Sequence, residues 1–226
     1  PGAPETCNDG KDSDCDGDFN DDDCQCVPGD QDACIAFGGI WFDATECSCH
    51  DCPLIISLGP EPLHLTSVQD GVRFDLDGDG QREQLGWTRA DSSDGFLVLD
   101  RDQDGFITNG TELFGNRSPE CSGEDRNGYA ALAYYDLFEN GGNEDGFIDA
   151  QDSVFEFLQV WIDSSHDGIA DSNELLFLSE SDIDAIDLNY EASRRQDRYG
   201  NLFRFRGKVH LVPTGQKHSY DVFLAQ

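Results

Sequence analysis

Acids at every second position, closed by a glycine, recur five times in this 226-residue chain, starting at Asp12, Asp75, Asp100, Gly141 and Asp163. Such a loop suits a hard cation. Side-chain oxygens at positions 1, 3 and 5 and a carbonyl at 7 build an oxygen cage, and glycine at 6 permits the sharp turn. Several calcium ions are therefore the expected ligands. The Asp163 loop is the most complete, with Ser165, Asp167, the Ile169 carbonyl, Asp171 at position 9 and Glu174 at 12. In the Asp100 loop Asp102, Asp104 and the Phe106 carbonyl follow, while the closing acid Glu112 comes one residue late. The Asp75 loop offers Asp77, Asp79, the Gln81 carbonyl and Glu83, but its position 12 is Gly86, so a closing carboxylate must come from elsewhere. The Gly141 loop has Asn143, Asp145, the Phe147 carbonyl, Asp149 and Asp152, and Asp136 or Asn140 is expected to fold back into its side-chain-free first position. The first loop supplies Asp12, Asp14, Asp16, Asp18 and Asp23, threaded with Cys15 and Cys24. One such loop can be read as an Asx turn carrying solvated charge; five in one chain point to metal.

Other chemistry is thinner. Eight of the nine cysteines lie between Cys7 and Cys52. Disulfides in an oxidising compartment are expected there, in preference to zinc held by Cys47, Cys49, His50 and Cys52. The odd number leaves one cysteine free or paired with another chain, and the isolated Cys121 is a candidate. No HExxH or triad pattern surrounds the histidines, and nothing singles out a carboxylate pair for glycoside hydrolysis, so no enzymatic activity is expected. Asn109-Gly110-Thr111 and Asn116-Arg117-Ser118 read as glycosylation sequons but serve better as loop residues.

Residues 1–52 hold too little apolar matter for a core and are expected to be a disulfide-stapled, calcium-binding segment. Residues 53–226 have the composition of one globular domain. Strands are predicted at 53–58, 72–76, 95–100, 185–190, 202–212 and 219–225, where short β-branched and aromatic runs alternate with polar residues. Helical spacing is predicted at 127–138, through Tyr129, Leu132, Ala133 and Leu137, and at 150–161, through Val154, Phe157, Leu158 and Trp161. Acid loops between such elements give an α+β class, a globular domain of short strands and helices stapled by EF-hand-like calcium loops. Loop starts about 63, 25, 41 and 22 residues apart exclude a nine-residue calcium solenoid.

The formal net charge of −33, from 47 acids against 14 bases, argues against a nucleic-acid partner. It also couples folding to cation binding, because the bare loops repel themselves. No apolar run is long enough to span a membrane, and the chain has neither a signal-peptide pattern nor a methionine. A processed chain, secreted or exposed on a cell surface, is the expectation. From Glu191 onward seven bases face three acids, forming a basic hairpin with Phe203 and Phe205 on one face and Arg204 and Arg206 on the other. That hairpin either folds on its own acidic body or docks on a neighbouring copy, which would build an extracellular fibre.

The words FDLDGDGQREQLGWT, GFLVLDRDQDGFITNGTELFG, NGYAALAYYD, NEDGFIDAQDSVF, LQVWIDSSHDGIADSNELLFL and DIDAIDLNY follow in order over about three quarters of the chain. In them the chain resembles the calcium-binding module of RTX-type secreted bacterial proteins, which includes the self-processing modules of FrpC-type proteins. The segment PETCNDGKDSDCDGDFNDDDC is similar to cysteine-and-aspartate metal-binding repeats of secreted bacterial proteins. The resemblance implies calcium-triggered cleavage of an Asp-Pro bond at the start of the module. Here Cys52 precedes the matching Pro53, Asp51 stands one residue early, and SLGPEPL (57–63) replaces the first acid loop. The resemblance therefore implies a structural calcium module, with a relict self-processing module as the alternative.

Overall fold

Leu54, Ile55 and Ile56 are all completely buried, although neighbours along a strand face opposite ways. Such a run needs a sheet covered on both faces, and β1 (Leu54–Ser57) lies in the interior of one. The computed structural model describes residues 51–59, 62–120, 126–213 and 215–226. The chain divides after His50, and the unit Asp51–Gln226 is the one described below. The Asp12 loop, Cys7 through Cys49 and Cys121 lie outside the described residues.

After β1 come β2 (Val72–Phe74), β3 (Glu83–Leu85) and β4 (Gly95–Val98), then a helix, α1 (Gly128–Asp136). The rest are β5 (Phe147–Asp149), β6 (Gln159–Trp161), β7 (Leu175–Phe177), β8 (Ile183–Asp187), β9 (Glu191–Gln196), β10 (Leu202–Leu211) and β11 (Gly215–Phe223). A curled antiparallel sheet runs β5-β8-β10-β11-β1-β4-β6-β7, with β9 paired to the first half of β10. β2 and β3 form a separate ribbon.

Alternation sorts side chains onto two cores. Ile55, Phe96, Val98 and Trp161 meet the β2–β3 ribbon through Phe74, Leu85 and Trp87 on one face. The Phe74, Trp87, Phe96 and Trp161 rings lie with centroids 4.3–5.8 Å apart. Each such pair adds about 1 kcal/mol beyond the burial of its area. Leu54, Ile56, Leu97 and Val160 point the other way, against Tyr129 and Leu132 of α1 and against Val154, Phe155 and Leu158.

Two expectations, of class and of a second helix, are corrected. The α+β class gives way to a mostly β fold, because the described residues hold one α-helix and the strands build the frame. Residues 150–161 do not form the predicted helix. They make turns that leave Phe157 exposed, and from Gln159 the chain is drawn into β6 between β4 and β7. The helix at 127–138 does form as α1, capped by Asn127, whose Oδ1 accepts from Tyr129 N and Ala130 N.

The basic hairpin is β10–β11, but a bulge at Arg204 breaks its alternation. Phe203 therefore joins the first core while Phe205 packs against the second. The extra residue, Arg204, is buried and donates to the Arg126 carbonyl at 2.8 Å. Cys52, expected among the disulfides, is a buried free thiol beside that guanidinium, with Sγ 3.9 Å from Nη1. No helix among the described residues is long and apolar enough to cross a membrane.

Candidate metal centre

The four described acid loops share one turn. Positions 4 and 6 are left-handed in each: Gly78 and Gly80, Gln103 and Gly105, Glu144 and Gly146, His166 and Gly168. Glycine at 6 meets that demand without the clash a Cβ would bring. The first carboxylate then closes the turn by accepting backbone N–H groups from inside it. Asp100 accepts from Asp104 N at 3.2 Å and Gly105 N at 2.9 Å. Asp163 accepts from Asp167 N at 3.2 Å and Gly168 N at 3.0 Å. Asp75 accepts from Gly78 N at 2.8 Å and Gly80 N at 3.0 Å.

In the Gly141 loop this role falls to Asp136, the last residue of α1, which accepts from Asp145 N at 3.2 Å and Gly146 N at 3.0 Å. The alternative, Asn140, is turned onto the Tyr134 carbonyl instead. The reason for Gly142 is then plain. A Cβ there would come within 2.2 Å of the Asp136 carbonyl carbon and oxygen. The pair Gly141-Gly142 was the sequence signal that a neighbouring segment occupies the first position.

Closing acids come from three directions. Asp75, Asp77 and Glu83 each offer an oxygen within 4.8 Å of the others, so the acid that completes this cluster is the loop's own position-9 Glu83 and not, as expected, one from elsewhere in the fold. Asp100, Asp102 and Asp104 converge within the same limit. Glu112 reaches under that loop, caps Thr108 N with Oε2 at 2.7 Å, and leaves its buried Oε1 without a hydrogen-bond partner. Asp152 does the same below the Gly141 loop, capping Asp149 N with Oδ2 at 2.8 Å while Oδ1 has no partner.

Burial, then the neighbouring loop acids, hold Glu112 and Asp152 above the usual carboxylate range, and burial does the same for Glu83. A buried acceptor without a donor is costly, and a cation relieves both that cost and the repulsion. An all-oxygen donor set fits calcium better than a softer metal.

The loop most complete in sequence is arranged differently. Asp163 is buried, and its Oδ2 also accepts from the core indole of Trp87 at 2.8 Å. Glu174 spends its oxygens on Ser165 N at 2.7 Å, Ser164 Oγ at 3.0 Å and Trp161 Nε1 at 3.5 Å. Burial pushes its carboxyl up, but those donors outweigh it and hold the group below its ordinary value. The Ile169 carbonyl accepts from Asp171 N at 3.0 Å, and Asp171 itself is exposed. Ser165 Oγ donates to Asp163 at 3.2 Å, and Asp167 accepts from Ile169 N at 2.9 Å. Among the described acids, this loop brings no three ligand oxygens as close as the Asp75 and Asp100 loops do.

Of the remaining expected ligands, Asp79, Asp104 and Asp145 each cap the N–H two residues on, at 2.7, 2.8 and 3.0 Å. Asn143 accepts from Asp145 N at 3.2 Å, and Asp149 is turned onto Gln151 N at 2.7 Å. Gln81 and Phe106 are exposed at their loop tips, whereas Phe147 pairs with Asp187 as the first residue of β5. At the head of the unit, the buried Asp51 carboxylate is held by Arg117 and Asn116, Cys52 N donates to Asn116 Oδ1 at 2.8 Å, and Pro53 bridges to Gly115.

Residues 54–225 match the SPM domain family. The chain is 37% identical over 176 residues to the iron-regulated protein FrpA of Neisseria meningitidis serogroup C. That alignment covers 76% of this chain and 15% of the relative, so the chain spans a small part of that protein's length.

Proposed function

Because the chain belongs to the SPM domain family, we propose that its Asp51–Gln226 unit is a non-catalytic calcium-binding structural module of an exported protein. The observation that carries this is the pair Glu112 and Asp152. Each is a buried acid with one oxygen fixed on a backbone N–H and the other without a partner beneath an acid loop. Calcium there neutralises the loops and ties strand connections to the sheet. The likeness to FrpA supports a place among RTX-associated proteins outside the cell, where millimolar calcium fills sites with dissociation constants of about 0.1–1 mM. Docking of the basic hairpin on another copy is not favoured. Arg204, Lys217 and Arg206 find partners within the chain, at the Arg126 carbonyl, the Gly59 carbonyl and Glu191.

Calorimetric titration of the chelated chain with calcium tests the proposal, alongside thermal melts. Each site stabilises the fold by about 1.4 kcal/mol at ten times its dissociation constant. Glu112→Gln and Asp152→Asn each remove about one equivalent of bound calcium. No heat of binding and an unchanged melting temperature would overturn the proposal.

A further inference from the structure

A cleft of about 590 Å³ opens beside the β9–β10 turn, lined by Arg89, Arg195, Arg198, Tyr199, Asp70 and Asp197 among others. In a chain of net charge −33, three guanidiniums around one concavity stand apart from the surrounding surface. Each is held in place. Arg89 is gripped by both oxygens of Asp91 at 2.9 and 2.8 Å. Arg195 lies over the Phe203 ring, 3.7 Å from its centroid, and donates through Nη2 to the Leu63 carbonyl. Its Nη1 is buried without a hydrogen-bond partner. Arg198 lies 4.5 Å over the Tyr199 ring centroid.

The two aspartates decide what kind of anion fits. Asp70 accepts from Ser67 Oγ at 2.8 Å, and Asp197 accepts from Tyr199 N at 2.8 Å and Asn201 Nδ2 at 2.9 Å. Asp197 also accepts from Asn201 N at 3.1 Å, so of the about four lone-pair sites on a carboxylate Asp70 keeps several and Asp197 about one. They would repel a polyanion. A ligand with one carboxylate and several hydroxyls satisfies both sets: the arginines take its carboxylate and the aspartates accept from its hydroxyls. The volume lies in the range of small-molecule clefts.

We infer that this cleft is a binding site for an acidic sugar, with Arg195 and Arg198 on its carboxylate and Asp70 and Asp197 on its hydroxyls. Asp70 touches the Asp163 loop, where its carbonyl lies 2.8 Å from His166 Nε2, so the test is run on the intact chain at one fixed calcium concentration. Chemical-shift titrations use glucuronate, galacturonate and N-acetylneuraminate, with glucose and acetate as single-feature controls. At least one acid sugar is expected to saturate shifts around Arg195 and Tyr199, with glucose and acetate about tenfold weaker or more. Arg198→Ala, an exposed change, is expected to weaken that sugar about tenfold while leaving the melting temperature unchanged. Arg195→Lys, which keeps the charge but loses the fork, is expected to weaken it as well. The inference is overturned if none of the three acid sugars saturates, if glucose or acetate binds as tightly, or if Arg198→Ala has no effect.

Discussion

Gly142 and Gly105 separate two reasons for glycine in these loops. Gly105 has open space around a Cβ and is needed only for its φ of +87°. Gly105→Ala is therefore expected to cost about 1–2 kcal/mol of backbone strain. Gly142 has an ordinary φ but touches the Asp136 backbone, so Gly142→Ala must push Asp136 out of the loop it closes. A loss of about 3 kcal/mol is expected in calcium, together with about one bound equivalent, read from urea unfolding and calorimetry.

Asp221 makes a different prediction. Burial raises its pKa to about 6, against the opposing effects of Gly128 N–H, Arg204 and Cys52. The folded state thus keeps a proton that the unfolded state has already released, and stability from this group falls as pH rises between about 4 and 6. Asp221→Asn should flatten that part of the stability curve. Urea midpoints across the window check it, and an unchanged slope would contradict the assignment.

At the scale of elements, the bulge in β10 decides which arginine matters. Arg204 is buried between the Phe205 and Phe223 rings and bonded to the Arg126 carbonyl, whereas Arg206 pairs with Glu191 in the open. Arg204→Ala should cost about 2–3 kcal/mol, since it leaves buried acceptors without a donor. Arg206→Ala should cost under about 0.5 kcal/mol, as exposed pairs do. Thermal melts of the two variants compare them directly, and equal losses would place Arg204 on the surface. The alternation expected for 202–212 could not reveal this, because a bulge adds a residue without a marker in residue type. The second predicted helix failed for a related reason. Its apolar spacing suits a helix, but Gln159, Val160 and Trp161 gain more from pairing with β4 and β7 on both edges.

For the whole molecule, the head of the unit argues against cleavage. The resemblance to self-processing modules implies an aspartate before Pro53, where this chain has Cys52, and the Asp51 carboxylate is held by Arg117 and Asn116. The chain is expected to stay intact on a denaturing gel after calcium addition; fragments broken at residues 51–53 would contradict this. Within the described unit, the sequence alone determined the four acid loops, most of the long strands and the capped helix. These follow from local chemistry: a glycine's φ, a two-residue period, a side-chain cap. The tertiary structure alone decided the mostly β class, the choice of Asp136 over Asn140, and the diversion of Glu174 to backbone and indole donors. Those depend on which distant segments come to share a core or a loop, and no spacing within one segment records its neighbours in space.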